Sequence, residues 1–153
     1  MNALAVSVAL LGLVACATAL GLLWRARTGR VRTITSGDAT VDVSTIVPDA
    51  VAGSNATLLQ FSTEVCAPCR ATHAILGALA ERHNGVAHVD VDITRRADLA
   101  SRFRLLQSPT TLILDGHGVV RARIGGAPRP AEIAEELGRI LGRTTVAARS
   151  AAA

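Results

Sequence analysis

Apolar and polar positions change period several times between residues 56 and 142, and those changes divide the chain. Leu58, Leu59 and Phe61 form a strand-forming run that leads into Cys66. Ile75, Leu76 and Leu79 then recur at helical spacing over 70–82, and Asn84-Gly85 supplies a left-handed stop. Val89, Val91 and Ile93 alternate with His88, Asp90 and Asp92, which predicts a strand over 86–93. Thr94 or a residue near it is expected to cap a short helix reaching Phe103. Pro109 precedes a strand over 110–114, Asp115-Gly116-His117-Gly118 turns the chain, and 119–124 returns as the second arm of a hairpin. After Gly125-Gly126, Pro130 opens a last helix with Ile133, Leu137, Ile140 and Leu141 on one face. The order strand, helix, strand, helix, strand, strand, helix defines an α/β class with a mixed β-sheet flanked by helices.

The first part of the chain follows a different pattern. Residues 3–24, opening at Ala3 and closing at Trp24, carry no charge. As a helix rising about 1.5 Å per residue they cross a hydrocarbon core of about 30 Å. Trp24 followed by Arg25 and Arg27 has the form of an interfacial anchor. Two cleaved alternatives compete with an uncleaved transmembrane anchor. A signal peptide requires a basic start and a shorter apolar run. A lipoprotein box at Leu13-Val14-Ala15-Cys16 would make Cys16 a lipid attachment site. The missing basic start and the apolar stretch beyond Cys16 favour the anchor. Arg25, Arg27, Arg30 and Arg32 all follow the span and no basic side chain precedes it, so the positive-inside rule places the remaining domain in the cytoplasm. Residues 25–40 read as a linker, polar from Arg30 to Ser36, with Thr40-Val41-Asp42-Val43 alternating as a short strand. A domain over 41–142 and a flexible tail over 143–153 complete the division.

Composition narrows the chemistry. Half of the 153 residues are hydrophobic, yet there is no Tyr, one Trp and two Phe, so the core must be aliphatic. The formal net charge of +4 comes from arginine alone, much of it beside the apolar N-terminus. No basic stripe with stacking aromatics accompanies it, which argues against nucleic acid as a partner. Three cysteines, one inside the apolar run, do not make a secreted disulfide framework.

Cys66-Ala67-Pro68-Cys69 carries the strongest signal. Two thiols three positions apart at the start of a helix can close a small disulfide ring. Unpaired N–H groups and the helix dipole favour a thiolate there, the reactive form of cysteine. Pro68 suits an early helical position, having no N–H to leave unpaired. Zinc held by Cys66, Cys69 and His73 is the competing reading, but no second ligand pair follows at finger-like spacing. A purely structural bridge gains little from so short a loop. Cys66 falls just past the carboxyl end of its strand, where open α/β sheets place their sites.

Over roughly 41–141 the chain resembles the thioredoxin superfamily. The resemblance rests on Phe61-Ser62-Thr63-Glu64-Val65-Cys66-Ala67-Pro68-Cys69, on Ser108-Pro109-Thr110 about 40 residues later, and on 119–126 before the last helix. With the anchor and the arginine-alanine bias, it is most similar to small membrane-tethered thioredoxin-like proteins of high-GC bacteria. The resemblance implies that Cys66 is the attacking thiol and Cys69 the resolving one. It also implies that Pro109, supported by Ser108 and Pro68, is a cis-proline lying against the dithiol and presenting backbone to an extended substrate. Glu64 matches an acidic position beside the site; a solvated loop charge is the alternative. There are departures too. Ser62 and Val65 stand where the family carries tryptophan, Ala74 replaces the proline that kinks the motif helix, and Gln60 and His88 align with a buried acid and a lysine. Gln60 cannot shuttle a proton, so Cys69 would lose its own through water or with help from His88.

The expected chemistry is thiol–disulfide exchange, most simply protein-disulfide reduction, with no cofactor beyond the Cys66/Cys69 dithiol. Its partners would be disulfide-bearing proteins and an electron-donating reductase or dithiol protein. An extracytoplasmic role in cytochrome maturation or disulfide formation is one alternative. A redox-sensing or metal-handling binding module is another.

Overall fold

The structure is a computed structural model that describes residues 3–34 and 39–151, with side chains to residue 143. Its elements are α1 (Ala3–Arg27), β1 (Val31–Thr33), β2 (Ala56–Ser62), α2 (Ala67–Arg82), β3 (Val86–Asp92), α3 (Ala97–Arg102), β4 (Thr110–Asp115), β5 (Val120–Gly125) and α4 (Pro130–Ala151). The five strands form one sheet in the order β1-β5-β4-β2-β3. β2 pairs parallel with β3 and antiparallel with β4, and every one of its residues is buried. A strand covered on both faces has no polar side to show, which is why Leu58-Leu59-Gln60-Phe61 lacks alternation.

The two faces of the sheet sort by the period-2 rule. Leu58, Ile113, Ala122 and Ile124 meet Leu76 and Leu79 of α2 and Ile133, Leu137 and Ile140 of α4. Leu59, Phe61, Val89, Val91, Leu112 and Leu114 face the other way, onto Leu99 of α3 and onto Val41, Val43 and Ile46. Phe61 and Phe103 bring their rings to 5.0 Å. Asp115 holds the β4–β5 turn by accepting the His117 and Val119 N–H groups at 2.9 and 3.0 Å and the Arg121 Nε–H at 2.7 Å.

Four expectations need correction. Residues 25–40 are not simply a linker. α1 runs to Arg27, and Val31–Thr33 is an edge strand registered with Ile124, Arg123 and Ala122 of β5; the part of that linker over 35–38 lies outside the described residues. Three residues with a single apolar side chain carry no periodic signal, and the partner strand decides their conformation. Secondly, the strand expected at Thr40–Val43 is reduced to one bridge, Thr40 to Val119. A 3₁₀ turn at Val43–Thr45 follows at once, because the Asp42 carboxylate accepts the Ser44 N–H at 3.0 Å. Thirdly, of Thr94 and its neighbours it is not Thr94 that stands at the cap of α3. It bonds the Asp92 carboxylate through its own N–H and hydroxyl, and Arg96 is the cap residue, with no side-chain capping bond. Lastly, the tail expected from 143 is helical as far as Ala151, in keeping with the high helix propensity of alanine, and its last two residues lie outside the described set.

The join between α1 and the sheet is short and bonded. Gly29 N–H donates to the Gly125 carbonyl at 2.8 Å, and Arg129 Nη2 donates to the Ala26 carbonyl at 3.2 Å. Gly29 has φ 77°, and a Cβ there would collide with the Ala127 carbonyl, so this step requires glycine. β1 begins level with Gln60: Val31 opposes Ile124, which opposes Thr111, which opposes Gln60. α1 therefore enters at the end of the sheet where β2 stops.

Candidate active site

Cys66 is the N-cap of α2, with extended backbone, and Cys69 lies one turn on. The two are joined as a disulfide with their Cα atoms 5.2 Å apart. The Cys66 sulfur accepts the Cys69 N–H at 3.2 Å. This is one of the N–H groups a helix start leaves unpaired, so the same bond would stabilise a Cys66 thiolate. Cys66 is partly exposed, whereas Cys69 is only 4% exposed. Pro68 stands exposed in the first turn, and its carbonyl accepts the Thr72 hydroxyl at 2.9 Å.

The Ser108–Pro109 peptide is cis. Pro109 is buried at the entry to β4, and Ser108 Oγ lies 3.3 Å from Cys69 Sγ. A bridged sulfur carries no proton, so the hydroxyl is the donor. Ser62, Thr63, Glu64, Arg70, His73 and Asp90 complete a cleft of about 230 Å³ around the two sulfurs. Glu64 is exposed and donates its backbone N–H to Thr94 Oγ1 at 2.8 Å. Val65, in the place of a tryptophan, is 96% exposed.

A polar chain runs beneath the dithiol. Gln60 is fully buried; its amide nitrogen donates to Ser62 Oγ at 2.8 Å and to the Cys69 carbonyl at 3.0 Å. Its oxygen lies 3.1 Å from His88 Nε2, and because that oxygen can only accept, His88 Nε2 carries a proton. The His88 ring meets His73 edge-on at 4.7 Å, and His73 Nδ1 lies 3.0 Å from Asp90 Oδ2. Gln60 and His88 are thus brought together under Cys69. The sequence pattern held a sign of this, since His88 and Asp90 share one face of β3, but not that His73 would lie across from both. His73 spends its Nδ1 on Asp90, and among the described residues no three His, Cys, Asp or Glu side chains group as metal ligands.

The His88 pKa lies below the usual histidine range, because burial disfavours the cation and His73 adds like-charge repulsion; Asp90 opposes both. The folded state therefore resists a proton that the unfolded chain accepts. Stability is fully present above the unfolded value near 6.5 and is lost as pH falls below it, levelling off beneath the folded pKa. Urea midpoints of the wild type are expected to fall between pH 7.5 and 5, and those of His88→Gln to fall less. Parallel curves for the two proteins would refute this.

A cysteine pair at a helix start, bridged, one cysteine partly exposed and the other against a cis-proline loop, defines a class: the thiol–disulfide oxidoreductases built on a mixed sheet. Comparison with known proteins agrees. The family model described as Thioredoxin matches residues 44–139. The chain is 28% identical over 88 residues to thioredoxin Asp f 28 of Aspergillus fumigatus, covering 57% of this chain and 82% of that protein. It is 32% identical over 82 residues to thioredoxin C-2 of Corynebacterium nephridii, covering 53% and 76%. Among solved structures it superposes on chloroplastic thioredoxin z with a TM-score of 0.53 at 25% identity, covering 64% of this chain and 85% of that one. The chain belongs to the thioredoxin family. In α1 it also has a helix long and apolar enough to cross a membrane, with none of its residues buried against the domain.

Proposed function

We propose that the protein is a membrane-tethered protein-disulfide reductase whose domain lies in the cytoplasm. The observation that carries the reading is the asymmetry of the dithiol: Cys66 is partly exposed and receives a helix N–H, while Cys69 is buried against Ser108. Cys66 thiolate attacks one sulfur of a partner disulfide, forming a mixed disulfide and expelling the other partner sulfur as thiolate. Cys69 thiolate then attacks Cys66 Sγ, which closes the Cys66–Cys69 bond and releases the second partner thiolate. Two electrons pass from the dithiol to the partner, and the two partner thiolates take up the protons the cysteines gave. The dithiol needs no further group for this. A reductase or another dithiol protein must return the electrons.

Pro109 is buried and its carbonyl accepts the Gly126 N–H at 2.7 Å, so the backbone offered beside the sulfurs to an extended partner segment is that of Ser108. Gln60 ties the Cys69 carbonyl to His88 but cannot carry a proton, and His88 Nε2 already holds one, so the path for the Cys69 proton runs through water, with His88 beneath it in place of a carboxylate. A pH–rate profile of His88→Gln that matched the wild type would remove His88 from that path.

Placement and resting state are tested together by thiol labelling in cells with a membrane-impermeant reagent. Cys66 and Cys69 should label only after permeabilisation and without prior chemical reduction. Labelling of intact cells would move the domain outside and overturn the cytoplasmic placement. Labelling only after reduction would mark a resting disulfide and overturn the reductase direction in favour of an oxidant.

A further inference from the structure

A second cleft, of about 460 Å³, opens at the foot of α1. Arg27, Arg30, Arg32, Arg104 and Arg123 line it, and none of its lining residues is acidic. Arg123 forms part of the wall and is held there: its Nη1 and Nη2 donate to the Phe103 and Arg104 carbonyls at 2.8 and 2.7 Å. Among the described residues, the guanidinium groups of Arg27, Arg30, Arg32 and Arg104 make no hydrogen bond or ion pair. The nearby carboxylates are already engaged. Glu132 accepts from Arg129 at 2.9 Å and from the Val31 N–H at 3.3 Å, leaving Arg30 only a through-space attraction, and Glu136 is paired with Arg139 at 2.6 Å.

Arg104 adds an independent observation. It takes φ 48°, a left-handed conformation that glycine adopts freely and an arginine does not, immediately after the Phe103 cap of α3. The chain thus sets a long cation where stability alone would favour glycine, and it does so on the wall of this cleft. Arg104 is also far in sequence from the basic run that follows α1, so the fold assembles the cluster.

We propose that this cleft binds the phosphate headgroup of an anionic phospholipid and seats the domain on the membrane that α1 enters. Planar guanidinium groups grip phosphate oxygens in bidentate fashion, and several uncompensated ones around one cleft select a negative headgroup over a zwitterionic one. The bonded join through Gly29 and Arg129 keeps the cleft beside the end of the span, at headgroup level. Lipid is therefore favoured over free phosphate. Leu106, on the rim and 95% exposed, is placed to enter the acyl boundary.

The test is native mass spectrometry of the full chain in a mild non-ionic detergent with added phosphatidylglycerol, phosphatidylcholine or inorganic phosphate. One phosphatidylglycerol should be retained at concentrations where phosphatidylcholine leaves no adduct. Arg104→Gly should weaken retention about fivefold without loss of thermal stability, and Arg30→Gln, Arg32→Gln and Arg104→Gly combined should weaken it roughly a hundredfold. Arg25→Gln, beside the span but outside the cleft, should change it less than Arg104→Gly. Equal retention of the two lipids would overturn the proposal, as would Arg25→Gln weakening retention as much as Arg104→Gly. Displacement of the lipid by millimolar inorganic phosphate would reassign the cleft to a free anion.

Discussion

Cys66→Ser is expected to lower the rate at which the full chain reduces a protein disulfide by at least about a thousandfold. Serine keeps the size of the side chain and the N-cap bond, so the fold should survive. What is lost is the accessible thiolate: Cys69, the thiol left in the cleft, is buried, and Cys16 sits in α1. Cys69→Ser should fail differently. The attack still occurs, the second step cannot, and a mixed disulfide between Cys66 and the partner accumulates. Non-reducing electrophoresis and intact-mass measurement distinguish the two variants directly. If Cys69→Ser gave no adduct and Cys66→Ser trapped one, the two roles would be exchanged. Turnover surviving in Cys66→Ser would end the dithiol mechanism altogether.

Phe61→Ala carries the largest expected cost to stability, about 3–5 kcal/mol. Phe61 is fully buried in the central strand and leans on Phe103, one end of the α3 side of the core. With two phenylalanines and no tyrosine in the chain, its neighbours are mostly aliphatic, and such side chains close a ring-sized void only in part. A domain of ordinary stability holds about 5–15 kcal/mol in total, so the loss approaches the margin for folding. Equilibrium denaturation of the full chain should show a lower midpoint with an unchanged slope. Leu106→Ala, at an exposed position, should stay within about 0.5 kcal/mol of wild type. A cost below about 1 kcal/mol for Phe61→Ala would contradict the packing described for this face.

The elements that could be read from sequence were those with strong local signals. β2 announced itself through its continuous apolar run, α2 through Cys66 and Pro68 at its start and Gly85 at its stop, and the β4–β5 hairpin through Asp115 and two glycines. The redox pair was legible because its spacing is local, and Pro109 through resemblance alone. β1 was illegible because three residues at a sheet edge take their conformation from a partner about ninety positions away. The chain from Cys69 through Gln60 and His88 to His73 and Asp90 was half legible. Period 2 put His88 and Asp90 on one face, but only the packing of α2 over β3 sets His73 beside them. The arginine cleft was legible only in part: Arg27, Arg30 and Arg32 stood out as a basic flank of the span, but Arg104 and Arg123 join them only through the fold.

The short bonded join at Gly29 has a kinetic consequence. With α1 in a bilayer, the domain cannot roam on a long tether, and β1 enters at the dithiol end of the sheet, so the sulfurs remain close to the membrane plane. Encounter then becomes a lateral search in two dimensions. A disulfide on another protein confined to the same leaflet meets the cysteines at a raised local concentration, while a freely dissolved one must first reach the surface. Lengthening the join by a flexible insert after Gly29 would trade that planar selectivity for reach.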